Sequence, residues 1–103
     1  MEYKMLNKIR EFLDEKLIKL IDGLNPEEKK VLEYFLQNIS VGSIIAQREL
    51  KAFYGIENPK DIIRKLIDLG LLEQGYGCYN LAKRLREILV KIIIKQIKGK
   101  SYS

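Results

Sequence analysis

Residues 63–81, IRKLIDLGLLEQGYGCYNL, constrain the fold of this chain more than any other stretch. They begin with the apolar spacing of an amphipathic helix, which stops at Gly70, a residue suited to a left-handed C-cap. Two short runs, 71–74 and 78–81, then flank Gly-Tyr-Gly, where glycine supplies the positive φ that a three-residue hairpin loop needs. A helix that ends directly in a hairpin predicts a docking surface for another macromolecule.

Apolar spacing and end signals predict the remaining helices. From Leu6 onward the apolar residues recur every three or four positions, which predicts one amphipathic helix of about five turns ending near Gly23. Asn25 and Pro26 then begin a second helix, and Glu28 completes a capping box with Asn25. The buried face of this helix is predicted to comprise Val31, Leu32, Tyr34, Phe35 and Leu36.

Glycine and proline punctuate the rest of the chain. After Gly42, residues 43–45 are predicted to form a short strand, followed by a helix over 46–53 that Gly55 stops. Asn58-Pro59 repeats the helix-start signal, and this helix ends at Gly70 with Ile63, Leu66 and Leu69 inward. The final helix is predicted to start near residue 81 and to run to about residue 97.

Composition excludes several classes of function. A chain of 103 residues that is 47% hydrophobic is expected to form a single domain around one core. With one cysteine, Cys78, and no histidine, we expect no disulfide, no metal site and no cofactor, and Cys78 is predicted to be a half-buried apolar residue. Catalytic residues are likewise not expected, since the usual general base is missing and no nucleophile motif is present.

Hydropathy and composition also bear on location. The apolar runs are far shorter than the roughly 18 residues of a membrane span, and the N-terminus lacks the apolar core of a signal peptide. We therefore expect a cytoplasmic protein without membrane association. The richness in isoleucine, lysine and glutamate is compatible with a thermophile.

The positive charge of the chain is concentrated at one end. The formal net charge is +5, and residues 81–103 carry seven basic and one acidic side chain. Because the preceding residues sum to about zero, any attraction to phosphate depends heavily on the last helix.

The order of elements over residues 25–82 is similar to that of the winged helix-turn-helix DNA-binding family, as found in small archaeal-type transcription regulators. The segments in register are QREL, the turn Tyr-Gly-Ile at 54–56, IRKLIDLGLL and the wing GYGCYNL. This resemblance implies a mostly α fold with a small β-hairpin wing, flanked by long N- and C-terminal helices. The chain then divides into an N-terminal helix (1–24), a winged-helix domain (25–82) and a basic amphipathic C-terminal helix with a frayed tail (83–103).

The resemblance implies that helix 58–69 lies in the major groove of double-stranded DNA while the hairpin reaches the neighbouring backbone. The residues implied to contact DNA are Gln47, Arg48, Asn58, Lys60, Arg64, Lys65 and Tyr76. The wing tip, however, carries no arginine or lysine, and Asp61 and Asp68 share the outward side of the helix. These features, together with Ile62 and Ile67, favour an alternative, an accessory subunit that binds a protein partner in a replication, transcription or repair assembly.

The two flanking helices predict a homodimer, because together they offer a wider apolar face than one small core absorbs. The predicted dimerisation residues are Leu6, Ile9, Leu13, Ile88, Ile92 and Ile93. The alternative is that the two helices pack against each other within one chain.

Overall fold

A computed structural model describes residues 3–100, apart from the side chains of residues 99 and 100. Its architecture is mostly helical with a small antiparallel sheet, which confirms the predicted fold class. In chain order the elements are α1 (Lys4–Ile9), a 3-10 turn (Arg10–Phe12), α2 (Glu15–Asp22), α3 (Pro26–Asn38), β1 (Ser40–Gly42), α4 (Ser43–Tyr54), α5 (Pro59–Asp68), β2 (Leu72–Gln74), β3 (Cys78–Leu81) and α6 (Lys83–Lys100).

The predicted N-terminal helix is wrong as a single element, because it breaks after the 3-10 turn. Leu13 is extended, and Asp14 starts α2 as its N-cap, with its carboxylate accepting a hydrogen bond of 2.8 Å from the Leu17 amide. The guanidinium of Arg10 donates to both carboxylate oxygens of Asp22 at 2.5 and 2.8 Å, which fixes the two short helices relative to each other. The apolar spacing continues through the break, so only the Asp14 cap signals it.

The Asp14 cap supports a stability prediction. Replacing Asp14 with alanine is expected to lower the free energy of unfolding by about 1 kcal/mol, because the Leu17 amide loses its acceptor. Replacing Asp14 with serine should restore most of that loss, since the serine hydroxyl also caps helices. Urea denaturation of both variants measures the difference. If alanine and serine at position 14 lower the free energy of unfolding equally, the lost stability does not come from the capping hydrogen bond.

Three strands form the sheet in the order β1-β3-β2, with both pairings antiparallel. The predicted wing is confirmed as β2 and β3, joined through residues 75–77, and Gly77 has the positive φ of 68° that the loop requires. The strand predicted at 43–45 is wrong: β1 ends at Gly42, which pairs with Cys78, and α4 begins at Ser43. Residues 75–77, which precede Cys78, form the wing loop, so the β1–β3 ladder ends at the Gly42–Cys78 pair.

Helix α3 runs through the core. Its predicted capping box is confirmed, with Asn25 Oδ1 accepting from the Glu28 amide at 2.8 Å and Glu28 Oε1 accepting from the Asn25 amide at 2.9 Å. The five residues predicted for its inward face are all buried. Two carboxylates on the same helix, Glu28 and Glu33, are buried as well, which the sequence analysis did not anticipate.

Glu33 replaces a local cap for α1. Tyr3 precedes that helix without a side-chain capping bond within the described chain. Instead Glu33 Oε1 accepts from the Leu6 amide at 2.9 Å, and both carboxylate oxygens lie 3.0 Å from the Met5 amide. Gln37, one turn along α3, donates to Oε2 at 2.7 Å. A side chain of α3 therefore ties the N-terminal helix to the domain.

Helix α5 and the wing follow in the predicted order. Gly55 and Gly70 adopt the left-handed conformation, with φ of 66° and 78°, and stop α4 and α5 as predicted. Pro59 opens α5, but the side chain of Asn58 makes no capping hydrogen bond within residues 3–100. Ile63 and Leu66 are buried, whereas Leu69 is only half-buried. Side chains from all three predicted segments contribute to one hydrophobic core.

Candidate functional site

The exposed side of α5 is the surface that would enter a DNA groove, and its charges are balanced. Lys60 and Arg64 point outward as predicted, and so do Asp61 and Asp68. Two cations beside two anions give this exposed side no net charge. It therefore offers little of the phosphate neutralisation that dominates affinity for duplex DNA.

Lys65 is engaged with α3. Its Nζ lies 2.5 Å from Oε2 of Glu28, whose side chain is only 5% exposed. Burial alone would raise the pKa of Glu28, but the hydrogen bond from Lys65, the Asn25 amide and the charge of Lys65 together lower that pKa below its ordinary value. Lys65 is one of the residues implied to contact DNA, whereas its ammonium forms an ion pair that joins α5 to α3.

The other predicted DNA contacts are distributed around the domain. Gln47 donates from Nε2 to the hydroxyl of buried Tyr79 at 3.1 Å, so its amide connects α4 to β3. Arg48 and Asn58 are exposed. The structure does not bring Gln47, Arg48 and Tyr76 into the groove beside α5 that is described next.

A groove of about 200 Å³ lies between α5 and the sheet. Lys60 and Arg64 border it on the helix side, and Gln74 and Tyr79 border it on the sheet side. These two cations are the predicted residues that the fold does bring together, and the groove they share suits a carboxylate or a phosphate. Gln74 was not anticipated, because its position opposite α5 depends on how the wing packs.

Three exposed apolar side chains of the winged-helix segment lie on or beside the wing loop. Tyr76 at the tip is fully exposed, and Ile44 and Ile45 in the first turn of α4 are 72% and 54% exposed. The Ser43 amide donates to the Gly77 carbonyl at 3.0 Å, which places the start of α4 against the wing loop. We call Ile44, Ile45 and Tyr76 the wing patch.

Two of the three wing-patch residues, Ile44 and Ile45, were not predicted from the sequence. A strand over 43–45 would alternate its side chains between the core and solvent, but the first turn of a helix exposes Ile44 and Ile45 together. The signal that could have revealed this is Gly42, which can serve as an N-cap directly before Ser43.

Most of the predicted dimerisation residues are used within one chain. Leu6, Ile9, Ile88 and Ile92 belong to the hydrophobic core, which is the intrachain packing that the sequence analysis held as its alternative. Leu13 is half-buried against that core, and Ile93 is exposed. The homodimer remains a prediction, and of the six residues only Ile93 presents most of a free side chain for it.

Two further features of the described residues bear on function. Cys78 is half-buried in β3, with Sγ 3.6 Å from Asn80 Oδ1, as expected for a small structural residue. Over residues 3–100, no acidic or cysteine side chains gather into a group that could hold a metal ion. In the same part of the chain, every helix is too short or too polar to cross a lipid bilayer.

Helices α3, α4 and α5, the strand β1 and the hairpin β2-β3 define a winged helix-turn-helix domain with an apolar, uncharged wing tip. Residues 25–87 match the model of the family described as PolB1 Binding Protein 2. The match covers more than half of the chain, and the chain belongs to this family. A search of curated proteins gave no match. The description of the family names a protein that binds PolB1, and it gives no support to a transcription regulator in particular.

Proposed function

We propose that this chain is a non-enzymatic accessory protein that binds a B1-type DNA polymerase through its winged-helix domain. The observation that carries the proposal is the family match over residues 25–87, whose description names polymerase B1 as the binding partner. The matched residues include α3, the sheet, α4, α5 and the whole wing patch.

The surface chemistry of the domain supports a protein partner. The wing patch comprises an exposed tyrosine and two exposed isoleucines on neighbouring segments, and tyrosine is enriched among the residues that dominate binding energy at protein interfaces. Contact with phosphate hardly stabilises exposed apolar side chains. Burial against another protein does, because it removes their apolar surface from water. The balanced charges on α5 point the same way, because Asp61 and Asp68 oppose a polyanion.

The wing patch provides the first test. Replacing Ile44 and Tyr76 together with glutamine is expected to raise the Kd for purified B1-type polymerase about tenfold or more, because both side chains lose apolar contact area. Isothermal titration calorimetry measures this change. The thermal midpoint should stay within a degree or two of the unmodified protein, since both side chains are exposed.

A matched control lies on the same helix. Phe53 is 76% exposed near the far end of α4, nine residues and roughly 180° around the helix from Ile44. Replacing Phe53 with glutamine should leave the Kd unchanged. If the unmodified protein does not bind the polymerase, the proposed function is wrong. If the Ile44/Tyr76 variant binds with full affinity, the polymerase contacts a surface other than the wing patch.

DNA binding, as a homodimeric regulator or an architectural factor, is the second candidate function. It is favoured by the groove in which Lys60 and Arg64 lie together. Fluorescence polarisation with duplex DNA at two salt concentrations tests it, and the suitable variant is Arg64→Ala, because Lys65 is committed to Glu28. Affinity that is steeply salt-dependent and falls in Arg64→Ala supports this function, and absence of binding at low salt excludes it.

A further inference from the structure

Helix α6 has a buried apolar face and an exposed one. Leu85, Ile88, Leu89 and Ile92 form the first face and are buried in the core. Val90, Ile93, Ile94 and Ile97 form the second face and are 53%, 53%, 47% and 61% exposed. We call these four residues the outer stripe. At about 100° per residue, the centre of the outer stripe lies roughly 140° around the helix from the core face.

The spacing of the outer stripe matches a known mode of recognition. Its members follow one another at i, i+3, i+4 and i+7, which is the pattern of anchors that a helix inserts into an apolar groove of a partner. Residues 93–98 are all exposed, so the last turns of α6 extend past the part of the helix that the core covers. The family match ends at residue 87, so this surface is additional to the domain that defines the family.

Two lysines border the outer stripe on one side. Lys91 and Lys95 are spaced i and i+4, between the outer stripe and the core face. Lys95 Nζ lies 5.4 Å from the ring centroid of Phe12, which orients this edge beside the N-terminal helices. We call Lys91 and Lys95 the basic edge, and together with the outer stripe they suit a partner that is apolar in the middle and acidic along one rim.

A second copy of this chain fits that requirement poorly. If two α6 helices packed antiparallel about a twofold axis through the outer stripe, identical edges would face each other and the two basic edges would repel. The contact would also be small, because four half-exposed aliphatic side chains fall far short of the roughly 800 Å² that each partner contributes to a stable interface.

We propose that the outer stripe docks into an apolar groove on the same B1-type polymerase, with carboxylates of the polymerase along the rim that meets the basic edge. This inference rests on the proposed function and adds a second contact to the wing patch. The ammonium groups of Lys91 and Lys95 would pair with those carboxylates, because opposite charges across an interface attract each other. The apolar anchors supply the contact area, and the lysines fix the direction in which the helix lies in the groove.

Calorimetric titration of full-length variants with purified B1-type polymerase tests the proposal. In the stripe variant, Ile93 and Ile97 are replaced with glutamine, which keeps helix propensity while removing the anchors. Its Kd is expected to rise about tenfold. Lys91→Glu should raise the Kd several-fold at low salt and much less at high salt, as expected when a carboxylate rim faces the basic edge. The matched control is Phe53→Gln, which also exposes an amide in place of an apolar side chain and should bind normally.

The possible outcomes separate this inference from the proposed function. If the stripe variant keeps full affinity while the Ile44/Tyr76 variant loses it, the polymerase function stands and the second contact is overturned. If the unmodified protein does not bind, both fail together. Analytical ultracentrifugation of the chain alone is the last measurement. If the chain self-associates and the stripe variant does not, the outer stripe binds a second copy of the chain and the proposal is overturned.

Discussion

Replacing Glu33 with alanine is expected to lower the free energy of unfolding by about 3 kcal/mol, among the largest effects of any single substitution in this chain. The Glu33 carboxylate is fully buried and accepts from the Met5 and Leu6 amides and from the side chain of Gln37. Its removal leaves the first amides of α1 without an acceptor in a place where water is scarce. Leu6 and Ile9 then lose the attachment that keeps them in the core.

Urea denaturation gives the free energy of unfolding of the Glu33 variants, and hydrogen exchange locates the effect. The Met5 and Leu6 amides should exchange much faster in Glu33→Ala, ahead of the amides of α3. Glu33→Gln should lose less, because its carbonyl oxygen can still accept one of the bonds. Exposed Glu27 on the same helix is the matched control, and Glu27→Ala should cost no more than about 0.5 kcal/mol. Equal losses at Glu33 and Glu27 would refute the capping role.

The second large effect is expected at the ion pair between α5 and α3. Lys65→Met should lower the free energy of unfolding by about 2 kcal/mol at neutral pH, because it leaves the buried carboxylate of Glu28 without its cation. Methionine retains most of the aliphatic part of the lysine side chain, so the lost stability is due mainly to removal of the positive charge. Arg64→Met, at an exposed cation one residue earlier, is the matched control and should change stability by less than about 0.5 kcal/mol.

The pH dependence of this effect follows from the lowered pKa of Glu28. A carboxyl group whose pKa is lower in the folded state stabilises the protein above its unfolded pKa of about 4.3, and that contribution disappears as the pH falls through the folded pKa. In Lys65→Met the effect of burial remains and should raise the pKa of Glu28. The stability difference between the two proteins should therefore be largest at neutral pH and shrink below about pH 4. A difference of the same size at pH 3.5 and pH 7 would show that packing is responsible instead.

Local signals made much of this fold predictable. The capping box at Asn25 and Glu28, the glycine stops at Gly55 and Gly70 and the hairpin across residues 75–77 each depend on a few neighbouring residues, and each forms as predicted. The break before Asp14 was missed because the apolar spacing is the same on both sides of it. A periodic pattern indicates which side faces the core, but it does not show that one helix has become two.

The candidate site was less predictable because it depends on contacts between distant parts of the chain. Lys65 was assigned to DNA from its position on an outward helix face, and only the packing of α5 on α3 reveals that Glu28 holds it. Glu33 serves a helix that lies 27 residues earlier in the chain. Spacing along one element gives no information about such partners, since buried polar groups find their acceptors wherever the tertiary fold supplies them.

The position of β3 between β1 and β2 has a consequence for the energetics of recognition. A two-stranded hairpin alone is marginally stable in water, but here the second strand of the wing is paired along both edges, with Val41 and Gln74 on either side of Tyr79. The loop that carries Tyr76 therefore begins and ends on a preorganised base. A tyrosine has few rotatable bonds, so little conformational entropy remains to be lost when a partner closes over it.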